Sequence, residues 1–347
     1  MKQFICYLPT LLLLVAYSCK KNMVTPPKTV NVYVAGDGDG DGPILWKNDT
    51  VQAFDNNNNR GDANSVYVAG NNVYVAGDIN SSGYATSSAT LWDDGVLNDN
   101  YGGNSINNSQ YAYGVSVYGS GYDVYELIVG YINYTQLNAV VLYKNHIFWK
   151  TVSNMSYCNS LFVSGSDVYI TGYSNIGNKN APSLWKNGMV QTLPDQGNGG
   201  MASAVYVSGN DVYVAGDVYT SGGYSVATIW KNGVAQTLDN RSSYPYATLS
   251  AIYISGNDVY VAGTEYINSL LENAVPTVWK NGVAQSLPTN GAYTAWTNSI
   301  AVSGNDVYVA GVEDTTFSNH VAVLWKNGVA TTLPNGAQAA SVFVTNN

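Results

Sequence analysis

Ser203–Leu238 reads SAVYVSGNDVYVAGDVYTSGGYSVATIWKNGVAQTL, and the phrases NDVYVAG and WKNGV within it recur, with small changes, in that order along the chain. Successive copies stand about 41–53 residues apart. A period of that length belongs to propellers, solenoids and arrays, whose repeated unit cannot bury its apolar surface alone. Four short apolar runs lie inside the unit: Ala204–Val207, Val212–Ala215, Ala227–Lys231 and Val234–Leu238. They are rich in Val, Ile, Tyr, Trp and Thr, which suit a pleated, packed surface. Gly209-Asn210 separates the first two runs and Asn232-Gly233 the last two. Asn and Gly accept positive φ at little steric cost, as two-residue hairpin turns require. The unit is therefore two tight hairpins joined by a looser loop, Asp217–Val226. No stretch sustains apolar residues at a 3.6-residue period, which excludes a helical repeat.

Both faces of the inner strands are apolar, Val212 and Val214 on one side, Tyr213 and Ala215 on the other. A half-solvated sheet would alternate apolar with polar residues. Burial on both sides fits blades stacked face to face, so the unit is expected to be one blade of an all-β propeller with four antiparallel strands per blade. Glycines close the second strand at Gly36, Gly77, Gly130, Gly172, Gly216, Gly263 and Gly311. The third strand carries Trp46, Trp92, Tyr143, Trp185, Trp230, Trp279 and Trp325. Both series have seven members, which gives seven blades. The third blade departs most, with Tyr143 for Trp and His146 where Gly usually stands. At the N-terminal end, Val30 opens a second-type strand with no first strand before it. At the C-terminal end, Ala340–Thr345 is a first-type strand with nothing after it. Pairing the two ends closes the ring and leaves no open edge.

The chain of 347 residues carries 46 % hydrophobic residues, enough for a sizeable core within residues 30–347 without a second domain. Its formal charge of −9 argues against a nucleic-acid partner, which would want a basic stripe. Residues 1–18 read as an export signal: Met1-Lys2, an apolar run containing Leu11–Leu14, then Ala16-Tyr17-Ser18-Cys19. The small residue before Cys19 resembles the lipobox of bacterial lipoproteins, although Ala16 stands where Leu is usual and Tyr17 is bulky. That resemblance implies a lipidated Cys19, an outer-membrane, cell-envelope address and a membrane anchor. Residues 19–29, with Pro26-Pro27, would be the tether. The VYVAG-type strands are similar to the β-propeller repeats of exported bacterial proteins, a likeness that implies fold and setting rather than activity. Cys6 would leave with the signal. Cys158 then has no disulfide partner and is expected as a small buried apolar residue. A monomer is expected.

The SGND and KNG turns both lie on one face of the ring. The loops joining strand two to three, and blade to blade, lie on the other and vary in length and content. Variation on one face of a rigid scaffold is where binding is usually built. Aromatics concentrate there beside Asn, Asp, Ser and Gly. Tyr111, Tyr134, Tyr173, Tyr219, Tyr244, Tyr266 and Trp296 are the candidates for recognising a glycan or a protein. The repeated Asp of the NDVY turn (Asp123, Asp167, Asp211, Asp258, Asp306) is expected to cap its own turn through backbone N–H groups. Gly36–Gly42 alternates Gly with Asp37, Asp39 and Asp41, hard oxygen ligands that resemble the first half of a Ca²⁺ loop, without its later carboxylate. Arg60-Gly61-Asp62 is a tripeptide that arises often by chance. His146 and His320 fall in different blades, with no nucleophile motif beside either. Paired carboxylates could hydrolyse a glycoside, and Asp78, Asp217, Glu265, Glu313 and Asp314 are read as starting variable-face loops. The expectation is a non-catalytic binding protein, with a carboxylate-dependent glycan hydrolase and a protein-interaction scaffold as alternatives.

Overall fold

The structure, a computed structural model, describes residues 29–40, 42–52, 55, 60–80, 86–101, 111–121, 123–133, 136–238, 246–266, 274–316 and 319–346. Cys19, Asp41, Tyr134 and Tyr244 lie outside these residues, as does the side chain of Tyr111. The described strands make seven four-stranded antiparallel blades around a central channel. The fifth blade consists of Gly200–Ser208, Asp211–Tyr219, Ser225–Lys231 and Val234–Thr237, in that spatial order. The first strand of each blade is innermost, and all seven first strands line the channel. One parallel pair, Ser87 with Tyr111, joins the second and third blades into a continuous sheet.

Ring closure follows the reading of the two ends. The C-terminal strand Gly336–Asn346 pairs antiparallel with Val30–Gly38, setting Val34 opposite Val342 and Tyr33 opposite Phe343. The last strand of the chain is thus the innermost strand of the first blade, and it also lies against the first strand of the second.

The core is distributed between blades. Phe162, Leu184 and Leu193 of the fourth blade pack with Val205, Val214 and Trp230 of the fifth. Val34, Ile44 and Trp46 of the first pack with Tyr308, Leu324 and Leu333 of the seventh across the seam. The six tryptophans of the third-strand series are each 0 % exposed, and Tyr143 takes their place in the third blade against Tyr101, centroids 4.1 Å apart. Four of these indoles also donate to a backbone carbonyl: Trp46 to Pro334, Trp92 to Asp55, Trp230 to Pro194 and Trp325 to Pro288. Three of those acceptors are the prolines that follow the fourth strand of the preceding blade. A buried indole thus fills the interface and fixes its register.

The second-strand glycine has a steric cause in six blades, where the strand runs on past it instead of ending there; in the third blade Ile128 faces the bulge and Gly130 lies two residues further on. Every first strand shifts register by one residue, for example between Ala202 and Ala204 and between Thr297 and Ser299. At that bulge the backbone crosses close over the facing glycine. A Cβ on Gly216 would fall on the carbonyl oxygen of Met201, and one on Gly311 on that of Trp296. Gly36, Gly77, Gly172 and Gly263 meet the equivalent obstruction. The bulge bends the inner strand and the glycine makes room for it.

Two readings of the turns need correction. In the SGND turn only Gly209 takes positive φ, 59°, whereas both Asn232 (51°) and Gly233 (80°) do so in the KNG turn. The turn Asp does not cap its own hairpin. Asp211 accepts from Asn232 Nδ2 at 2.8 Å and pairs with Lys231 Nζ at 2.7 Å, both on the neighbouring hairpin, while Asn232 Oδ1 accepts from the Val212 amide. Lys231 in turn sits 5.0 Å from the centre of the Tyr213 ring. Asp123, Asp167, Asp258 and Asp306 repeat the pattern with their own Lys and Asn. The wide reach of the side chain across to the second hairpin wins because that turn brings a cation and an amide donor alongside. The motif ties the two hairpins of a blade together on the tight-turn face.

The variable-face loops are also shorter than the sequence implies. The loop read as Asp217–Val226 narrows to 220–224, because Asp217, Val218 and Tyr219 continue the strand and pair with Ala227, Val226 and Ser225. The carboxylates read as loop residues therefore lie in strands. Asp78, Asp217, Glu265, Glu313 and Asp314 are all buried. Three of them accept a hydroxyl from the facing third strand: Asp78 from Ser87, Asp217 from Ser225 and Glu265 from Thr277.

Candidate functional site

Each first strand runs from the variable-loop face to the tight-turn face, and near its end six of the seven carry an aromatic residue. Tyr67, Tyr118, Phe162, Tyr206 and Tyr253 follow one another around the channel, with Phe343 on the other side of Tyr67. Neighbouring ring centroids are 4.4–5.0 Å apart. The seventh blade has Ala301 there instead. Burial, and then the neighbouring hydroxyls of Tyr67, Tyr206 and Tyr253, push the Tyr118 phenol far above its usual range, so these hydroxyls gather in one place. The packed rings narrow the channel at its tight-turn end. Its other end leads to the variable-loop face. Halfway along, residues at the bulges reach across blades: Asn64 donates to the Gly114 carbonyl, Asn159 to Ala202 and Asn298 to Ala339, at 2.9–3.1 Å.

Beside the channel on the variable-loop side, a cavity of about 430 Å³ opens between the second, third and fourth blades. Asp62, Asn64, Asp78, Tyr113, Tyr131 and Tyr157 line it. Tyr113 meets Tyr131 edge to face at 5.9 Å, and Tyr157 stacks on Tyr173 at 5.6 Å with 11° between the planes. Asp62 is exposed at the rim, while Asp78 is 0 % exposed. Burial, then the charge of Asp62, raises the Asp78 carboxyl to about 8, against a lowering bond from Ser87 and with Asp37 adding to the rise. Asp37 is raised to about 7 by burial and then by Asp62, although the Ala63 amide bonds to it. Asp217, on another side of the ring, rises to about 6 through burial, against a lowering bond from Ser225. Such clusters of desolvated acids with charged neighbours are common at functional sites.

The candidate aromatics fare unequally. Tyr173, Tyr219 and Trp296 are half-buried on the variable-loop side. Tyr173 stacks on Tyr157 from behind and is not among the residues that line the cavity, and Tyr219 lies against Gly199. Tyr266 is a correction: it is 6 % exposed, paired in register with Tyr246, and its hydroxyl is engaged with Thr248, Thr264 and Trp296. It remains inside the extended second strand and offers no face to a ligand. Tyr224 and Tyr246 form a further edge-to-face pair, with Tyr224 exposed.

Asp37 and Asp39 are directed to different surroundings. Asp37 faces Asp62 and Ala63, whereas Asp39 stands in an exposed turn whose backbone amide donates to Asn335. Among the described residues, no group of three His, Cys, Asp or Glu side chains is arranged to hold a metal ion. Cys158 is buried at the start of its strand, its thiol pushed up to about 12 by burial, as a small apolar filler. Arg60–Asp62 is part of the blade rather than a free loop tip, with Arg60 bridging Asn80 and the Asp62 backbone bonding Asp78 in both directions. His320 Nδ1 sits 2.5 Å from Asp314 Oδ1, away from the cavity's lining residues.

Tyr131, Tyr157 and Asp62 do not stand out in the sequence as binding residues, nor do the channel aromatics. The latter have a signature, an aromatic three positions before the turn glycine, as in Tyr206-Val207-Ser208-Gly209.

No protein-family model matches the chain, and no curated protein matches it. Solved β-propellers do. The β-propeller domain of the Trilobed protease from Pyrococcus furiosus, described as having an open velcro topology, is similar at TM-score 0.54 and 10 % identity, over 88 % of this chain and 94 % of that one. Puromycin hydrolase (S511A mutant, complexed with PGG) is similar at TM-score 0.53 and 11 % identity, over 89 % of this chain and 52 % of that one. Extracellular domains 1–2 of Drosophila Semaphorin 1a give TM-score 0.52 and 8 % identity, over 80 % of each chain. At these identities the likeness is one of fold.

Proposed function

We propose that this protein is a non-catalytic binding protein of the bacterial cell envelope, held to the outer membrane by lipid on Cys19, which uses its variable-loop face to bind a glycan. The observation that carries this reading is the asymmetry of the channel. Aromatic rings narrow the tight-turn end, while the opposite end meets a cavity lined by Tyr113, Tyr131 and Tyr157, with Tyr173 stacked behind Tyr157. Flat aromatic faces beside carboxylates and amides suit the apolar faces and hydroxyls of sugars. A protein loop would use the same aromatics. The test is a glycan array probed with residues 30–347, which close their own ring, repeated for Tyr157→Ala. A specific hit lost in the variant supports the reading. A blank array overturns the glycan assignment and makes a protein ligand, sought by pull-down from envelope extracts, the next candidate.

One observation favours a second reading. Asp62 and Asp78 line the same cavity and differ in environment, exposed rim against buried floor, as the two carboxylates of a glycoside hydrolase do. Turnover of oligosaccharides that is abolished by Asp78→Asn would establish the enzyme. Binding without turnover would exclude it for the sugars bound.

A further inference from the structure

The cavity between the second, third and fourth blades has an unpaired acceptor in its floor. Asp78 is fully buried; its Oδ2 accepts from Ser87, and among the described residues its Oδ1 has no hydrogen-bond partner. A buried carboxyl oxygen left without a partner costs free energy comparable to a lost hydrogen bond or more. The charges that act on it are those of Asp62 and Asp37, of its own sign. Tyr113, Tyr131 and Tyr157 line the same space, together with Asn64, Val115, Val129 and Cys158.

A cation would satisfy both parts of this surface. Carboxylates supply charge-assisted acceptors, and tyrosine faces attract a cation through their quadrupole. The composition selects the kind of cation. A Ca²⁺ ion asks for about six to eight oxygen ligands, carboxylates foremost, and among the described residues no group of three His, Cys, Asp or Glu side chains is arranged to hold a metal ion. An ammonium group asks for a few acceptors and tolerates aromatic contact. The cavity's volume of about 430 Å³ has room for one or two sugar rings, within the range of small-molecule sites.

We propose that this cavity binds an unacetylated amino sugar, with the ammonium at Asp78 and Asp62 and the sugar ring against Tyr131 and Tyr157. The proposal rests on the glycan-binding reading above and names the sugar class. It carries a proton signature. Burial beside Asp62 and Asp37 keeps the Asp78 carboxyl protonated at pH 7, so an ammonium that replaces the proton as its partner releases that proton to solvent.

The test is calorimetric titration of residues 30–347 with glucosamine di- and trisaccharides and with their N-acetylated counterparts, at pH 6, where the sugar amine is already an ammonium and the Asp78 carboxyl still holds its proton, in two buffers of different ionisation enthalpy. The expected result is binding of the amine-bearing sugars at least ten-fold tighter than the acetylated ones, weakened by salt, with net proton release. Asp78→Asn should reduce the preference and abolish the proton release. Asp62→Asn, at the exposed rim, keeps the test open if the buried variant folds poorly, and should weaken amine-sugar binding. Equal affinity for both sugar forms, or a preference that survives both variants, overturns the ammonium assignment. If neither form binds while the array returns another glycan lost on Tyr157→Ala, the ammonium assignment falls and the glycan-binding reading stands. If nothing binds in either experiment, both fall.

Discussion

The indole N–H of Trp46 donates to the carbonyl of Pro334 at 2.9 Å, a bond between residues 288 positions apart in the chain. It spans the seam where the first blade meets the seventh, and the innermost strand of that first blade is the last strand of the chain. Every other blade is local in sequence. Removing residues 341–347 would strip the pairs Val34–Val342 and Tyr33–Phe343 and expose the seam core of Trp46, Tyr308 and Leu333. The expected result is a fall in melting temperature on the order of 10 °C or more. Trp46→Phe, which keeps most of the packing but leaves the Pro334 carbonyl without this donor, should cost about 1–2 kcal/mol. An unchanged melting temperature on truncation would mean that the ring holds without its closing strand.

The Gly and Trp series announce the blades because each serves a demand that recurs around the ring, the crossing over the bulge and the filling of the interface; the third blade departs from both, with Ile128 at the bulge and Tyr143 in the interface. The unpaired strand types at Val30 and Ala340 announce closure for the same reason. The site is less legible. Asp78 and Asp217 look like loop residues because charged side chains are seldom buried, yet backbone pairing carries them inside. Asp62 reads as part of a tripeptide that arises often by chance, and backbone pairing within the second blade brings it beside Asp78. Convergence of three blades on one cavity depends on ring geometry, which no single repeat records.

The second-strand glycines make a sharp contrast with turn glycines. Gly216 faces the carbonyl of Met201 across the bulge, so a methyl group there has no space without moving backbone. Gly209 takes φ of 59°, and a Cβ added there would meet nothing within 4 Å, so only conformational strain opposes substitution. Gly216→Ala is expected to cost about 3 kcal/mol or more, and Gly209→Ala about 1–2 kcal/mol. Urea denaturation of the two variants separates them. Equal costs would show that the bulge relaxes around a side chain.

The raised acids make stability depend on pH in an unusual direction. The folded-state pKa values of Asp37, Asp217 and Asp78, about 7, about 6 and about 8, all lie above the ordinary aspartate value of 3.8. In that interval the folded protein binds more protons than the unfolded chain, so stability falls as pH rises. Their contribution is fully present below about pH 4 and is lost as pH climbs through each folded value, the last near pH 8. Acids held low by the Asp–Lys–Asn motif, such as Asp211, act in the opposite sense but only at the acid end, as pH drops below the usual aspartate value. Thermal melts between about pH 5 and 8.5 should show a declining melting temperature, and Asp78→Asn should flatten the decline. A flat profile in the parent protein would count against buried, protonated carboxyls.

Tyr173 tests which face works. Its ring stacks on Tyr157 behind the cavity and is half-buried, so its removal costs stability through one aromatic pair, about 0.5–1.5 kcal/mol. If the ligand lies against Tyr157, loss of the ring that holds that side chain flat should weaken binding at least ten-fold, about 1.4 kcal/mol. Val283, exposed at the start of a fourth strand next to the Asn281-Gly282 tight turn, is the control on the opposite face. Val283→Ala should leave binding unchanged. A ligand that responds to Val283→Ala and ignores Tyr173→Ala would move the working surface to the tight-turn side, where the Asp–Lys–Asn motifs and the exposed first residues of the fourth strands would then have to provide the contacts.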